Sequence, residues 1–126
     1  MTIYYFGNSL IEIDSMVPSI IQTVRGHFPH IEFRHTDPTE QWWEGNQNPV
    51  LIDTVVGLKT VSLFHDLNDF EQLHTRITPH DYDLLMDLAL MKKIHKIDSF
   101  TLIGVPEKGD KQSIAHDVIQ AIFSLS

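Results

Sequence analysis

The sequence predicts an α/β domain, a three-layer αβα sandwich around a mainly parallel five-stranded sheet. Three observations carry that expectation. Short β-branched and aromatic runs alternate with longer segments of helical periodicity. Residues 49–55, PVLIDTV, are apolar but for one acid near the end and a threonine, the pattern of a central strand covered on both faces. No repeat, low-complexity tract or linker-like stretch divides the 126 residues, so a single domain over 1–126 is expected.

Taken in order, residues 2–6 (TIYYF) read as a buried strand that stops at Gly7 and Asn8. From residue 14 to about 28, Met16, Val17, Ile20, Ile21, Val24 and Phe28 recur at helical spacing. Asp14 or Ser15 caps that helix, Pro18 is tolerated in its first turns, and Gly26 and Pro29 mark its end. Residues 31–35 form a short second strand. Pro38, Trp42, Trp43, Gly45, Asn46 and Asn48 make residues 36–48 a loop with at most one helical turn. The third strand is PVLIDTV, Gly57 and Leu58 turn the chain, and residues 60–65 read as the fourth strand. Thr78-Pro79-His80-Asp81 opens a helix whose apolar positions are Leu84, Leu85, Leu88, Leu90, Met91 and Ile94. Lys92, Lys93 and Lys96 lie near its C-terminal end, where the helix dipole favours cations. A fifth strand over 100–105 and a closing helix over 113–123, with Ile114, Val118, Ile119 and Ile122 inward, complete the chain.

Composition narrows the chemistry. With no cysteine there is no disulfide framework, no thiolate zinc site and no cysteine nucleophile, so any metal must be held by His, Asp or Glu. Seventeen acids against nine Lys and Arg give a formal net charge of -8, which repels phosphate backbones, so no nucleic-acid partner is expected. The first residues, MTIYYFGNSL, have neither a basic segment nor an apolar one of signal-peptide kind, and no apolar run approaches a membrane span. These features lead to the expectation of a cytoplasmic protein with no membrane partner.

Asp53 stands out on physical grounds alone. A carboxylate inside PVLIDTV costs several kcal/mol to bury unless a metal ion, a helix N-terminus or a phosphoryl site is paired with it. The plainer alternative is a capping or loop-bonding Asp at a strand end. His80, at a helix start, offers a neutral imidazole. Asp14 in isolation is an ordinary helix cap. In an open α/β sheet, ligands bind outside the carboxyl ends of the strands. Gly7-Asn8 through Asp14, Asp53, and His35 to Asp37 all fall at or beyond such ends, and the loop before the second long helix has to bring His80 to the same edge.

Four segments, in order, resemble the hydrogenase maturation endopeptidases. FGNSLIEIDS (residues 6–15) resembles that family's opening motif, a strand ending in Gly-Asn with an acidic metal ligand at a fixed distance, a position that falls on Asp14. PVLIDTVV resembles the second motif and puts a ligand on Asp53. RITPHDYDLLMDLAL resembles the third, in which Ser or Thr shortly precedes a His that opens a helix, here His80. FTLIGVPEKG resembles the last strand.

The resemblance covers residues 3–106 and implies that Asp14, Asp53 and His80 bind a divalent metal and are the catalytic contact point. The implied substrate is the nickel-loaded precursor of a [NiFe]-hydrogenase large subunit, trimmed of a C-terminal peptide. Nickel is carried by that substrate, and zinc or cadmium are possible surrogates. The chain departs from the family pattern at Tyr5, where a Gly is usual, and at HTDPTEQWW, where the family has an Asp-Gly-Gly-like turn. Asp37 is the nearest acid there and takes that catalytic place. Two other readings stand beside this one. The first is a non-catalytic module that binds metal or a partner on the same fold. The second is a response-regulator receiver domain, with Asp53 as phosphoacceptor and Lys108 nearby.

Overall fold

Among the described residues, five runs rich in β-branched, aromatic and leucine residues pair into one sheet, accompanied by three helices. The computed structural model describes residues 1–7, 10, 15–36, 45–66, 69 and 79–125, with residues 79–83 and 85 described by their backbone alone. In chain order the elements are β1 (Thr2–Tyr5), α1 (Met16–Gly26), β2 (Glu32–His35), β3 (Val50–Thr54), β4 (Ser62–Phe64), α2 (Pro79–Lys93), β5 (Thr101–Val105) and α3 (Lys111–Phe123).

The sheet order is β2-β1-β3-β5-β4. β1 runs parallel to β2 and β3, and β3 runs parallel to β5, with Asp53 level with Gly104. β4 is antiparallel to β5 at one edge. The link from β3 to β4 explains that reversal. Residues 55–61 are too few for the crossover of a dozen or more residues that a parallel return requires, so the chain turns and comes back down. The sheet is therefore mixed but mostly parallel, an α/β arrangement as expected.

Side chains alternate between two apolar clusters, as a period of two demands. Ile3, Phe33, Ile52, Ile103 and Val105 share a cluster with Met16, Val17, Ile20, Ile21 and Val24 of α1 and with Ile114, Ala115, Val118, Ile119 and Ile122 of α3. Their strand neighbours Tyr4, Leu51 and Leu102 belong to another cluster, with Phe6, Val55, Leu58, Phe64, Ile97, Phe100 and Leu84 and Leu88 of α2. Gly104 sits where this second cluster is tightest. A Cβ there would lie 2.6 Å from Phe64 Cε2 and 2.9 Å from Leu58 Cδ1, so only glycine lets β5 pass between them.

Two helix expectations need revision. The last helix begins at Lys111 rather than residue 113, because the Asp110 carboxylate accepts the Ser113 N–H at 2.9 Å and so caps it early. On α2, Leu84 and Leu88 are buried and Met91 packs against them, but Leu90 and Ile94 are exposed. At about 100° per residue, Leu90 lies roughly 200° round the helix from Leu88, so both cannot face the sheet.

At the open edge, β2 carries Glu32, Arg34 and His35 exposed, a charged border that discourages strand addition. The Arg34 guanidinium bonds Glu32 at 3.0 Å and, with Thr2, holds its carboxyl below the ordinary glutamate range.

Two substitutions check this packing. Gly104→Ala is expected to lower stability by roughly 1–3 kcal/mol through overpacking. Asp110→Ala should lower it by about 1 kcal/mol through loss of the cap. Urea unfolding followed by circular dichroism reads both.

Candidate functional site

The carboxyl ends of β1, β2, β3 and β5 share one edge of the sheet, because these four strands are parallel. The chain leaves β1 for β2 on one side, while β3 lies on the other, so the strand order reverses between β1 and β3. Such a reversal opens a crevice at the carboxyl edge, the usual ligand position in open α/β sheets.

The residues at this crevice are fixed by backbone chemistry. Phe6 N–H donates to Ile52 C=O at 3.0 Å and Thr36 N–H donates to Tyr5 C=O at 3.0 Å, extending the pairing just past β1 and β2. Gly7 then takes φ 141°, a conformation that L side chains rarely adopt. Its carbonyl accepts from His35 Nε2 at 2.8 Å, which makes Nε2 the protonated ring nitrogen. The His35 ring also packs on Tyr5, with ring centroids 5.1 Å apart. His35 thereby pins the β1 turn to the end of β2.

Asp53 lies on the other side of the crevice, 3% exposed. It shares a strand face with Leu51 and Val55, so its carboxylate sits on the side of Phe6, Leu58 and Phe64. Oδ1 accepts the Thr54 N–H at 2.9 Å. Gly104, level with it on β5, contributes no side chain. Asp53 is thus a buried carboxylate at a strand end, with the Thr54 N–H among its hydrogen-bond partners.

α2, which begins with Pro79 and His80, packs on the face of the sheet that holds Asp53. The helix ends at Lys93, and five residues later Asp98 N–H bonds Gln47 C=O at 2.7 Å, below the start of β3. Its C-terminal end therefore lies at the amino end of the parallel strands. Fifteen residues rise about 22 Å, which carries its first residues, Pro79 and His80, toward the carboxyl end. Leu84, one turn after His80, is buried in the cluster that holds Phe6 and Val55. Asp53 and the first turn of α2 thus fall on one side of the sheet.

Asp14 and Asp37 lie outside the described residues, as do Trp42, Trp43 and His74, and the His80 side chain is not described. Among the described residues, no group of three or more His, Asp or Glu is placed to hold a metal ion. Of the four predicted site residues, then, the structure describes Asp53 with its side chain and His80 by its backbone alone.

Two features of this edge were not singled out in the sequence. Glu107, after β5, accepts the Gly57 N–H at 3.1 Å and ties the turn after β3 to the turn after β5. Thr54 is 1% exposed, and its hydroxyl has no hydrogen-bond partner among the described residues. The signal for Thr54 was present: consecutive polar residues in a strand send one side chain to each face, so Asp53 and Thr54 could not both reach solvent if both faces are covered.

No protein-family model, no curated protein and no solved structure matches this chain.

An unbonded buried hydroxyl is a cost that a methyl group avoids. Thr54→Val is therefore expected to raise stability by about 1 kcal/mol in urea unfolding, and a loss of similar size would show that the hydroxyl is bonded in solution.

Proposed function

We propose that this chain is a metal-dependent endopeptidase of hydrogenase-maturation type, built on a three-layer αβα sandwich. The layering is supported by the two clusters and by chain direction. Right-handed crossovers from β1 to β2 and from β3 to β5 move in opposite directions across the sheet, so α1 and α2 belong on opposite faces.

The observation that carries the functional reading is the burial of Asp53 at the carboxyl end of β3, beside the strand-order reversal and on the side where α2 opens with His80. Asp53 suits a metal by donor type, since carboxylate oxygens are ordinary ligands of divalent cations. Asp14, following the β1 turn, and His80 would complete a set of two carboxylates and one imidazole, suited to zinc or nickel. In this reading the nickel belongs to the substrate, the hydrogenase large-subunit precursor, and the three side chains grip it so that the scissile peptide is positioned at the crevice. A cation held there polarises the scissile carbonyl and lowers the pKa of a bound water. Asp37, beyond β2, is the acid nearest the opposite wall of the crevice in sequence, and is assigned to the catalytic set on the family pattern.

The missing glycines around Asp37 favour a second reading, a module that binds the metal-loaded partner without cutting it. The strand order counts against the receiver reading. A receiver sheet follows 2-1-3-4-5, whereas here β5 lies between β3 and an antiparallel β4.

Incubation with a nickel-loaded large-subunit precursor separates the two surviving readings. The peptidase shortens the precursor, and Asp14→Ala, Asp53→Ala and His80→Ala each abolish shortening. Titration calorimetry with zinc should show one site, weakened on the order of 100-fold or more by each substitution. Tight precursor binding without a cut selects the module. Zinc binding that survives all three substitutions removes the assignment altogether.

A further inference from the structure

We propose that α2 pairs with α2 of a second copy of this chain, antiparallel, about a twofold axis at Leu90. The pairing rests on the outer face of the helix and is independent of the metal reading.

Met86, Leu90 and Ile94 are 41%, 55% and 53% exposed and recur every fourth residue, so they form one stripe. Ile94 continues the helical path, since its N–H donates to Leu90 C=O at 3.0 Å. The other large exposed apolar residues among those described are Met1, Leu10 and Phe123, which share no such line. Phe123 also has a partner, the Phe28 ring 4.9 Å away.

Charge selects the occupant. Asp87 is exposed one residue after Met86, and Lys93 is exposed one residue before Ile94. An antiparallel copy about Leu90 sets each Asp87 against a Lys93, whereas a parallel copy sets Asp87 against Asp87 and Lys93 against Lys93. The spacing is also self-complementary. About Leu90 the antiparallel copy brings Met86 of one chain level with Ile94 of the other, and each Asp87 level with a Lys93, which is what an isologous twofold contact requires. The stripe is far smaller than the about 800 Å² per partner of a standard interface, so the association is weak, with a Kd on the order of 100 μM.

Because the chain has no cysteine, single-cysteine variants report the geometry without background. Across the twofold axis, Leu90→Cys places its two thiols within disulfide reach. It should cross-link under mild oxidation about tenfold faster than His116→Cys, an exposed position on α3. Met86→Cys and Ile94→Cys each lie about 12 Å along the helix from their own twin, so neither cross-links efficiently alone, but a mixture of the two does. Light scattering of the unmodified chain should show its mass rising between 10 and 500 μM, a range on the order of the expected Kd. The proposal is overturned if Leu90→Cys cross-links no faster than His116→Cys, or if the unmodified chain stays monomeric throughout. Equal rates for all three stripe variants would also overturn it, since that pattern belongs to parallel pairing.

Discussion

Strand β3 is hydrogen-bonded along both edges, to β1 and to β5, and apolar side chains cover both of its faces. A residue in that position has no route to solvent, so its chemistry must be met within the molecule. Leu51 and Ile52 meet the condition by packing. Asp53 and Thr54 cannot, and they fall at the carboxyl end, where the strands give way to loops that can supply donors and ligands. Within β3 itself, the Thr54 N–H donates to Asp53 Oδ1. Confinement of two polar side chains at that end gives the edge its chemical character.

Topology then decides what else reaches them. The seven residues after β3 are too few to cross back, which makes β4 antiparallel and leaves the place beside β3 to β5. Gly104 follows from that placement: β5 has to run level with Asp53 beneath Phe64 and Leu58, with no room for a Cβ. On the far wall, the positive φ of Gly7 and the His35 bond to its carbonyl set the direction in which the chain leaves β1.

The exterior follows different physics. An excess of acid keeps the surface self-repelling, and charged β2 guards one end of the sheet. α2 is the exception, with apolar residues on two sides of one helix. Only one side faces the sheet, and the other meets solvent as an unbroken stripe with opposite charges at its two ends.

Much of this was legible along the chain. The helical repeat from Met16 to Val24, the continuous run around Ile52 and the Gly7 turn each rest on local stereochemistry, which neighbours far away cannot reverse. The acid in PVLIDTV was conspicuous for the same reason, since a central strand offers it no exposed face. The order of strands, the antiparallel sense of β4, the need for glycine at 104, the isolation of the Thr54 hydroxyl and the outward turn of Leu90 were not legible. Each depends on which segment lies alongside which, and that choice is made by loop length and by the packing of residues distant in the chain, quantities that no local pattern encodes.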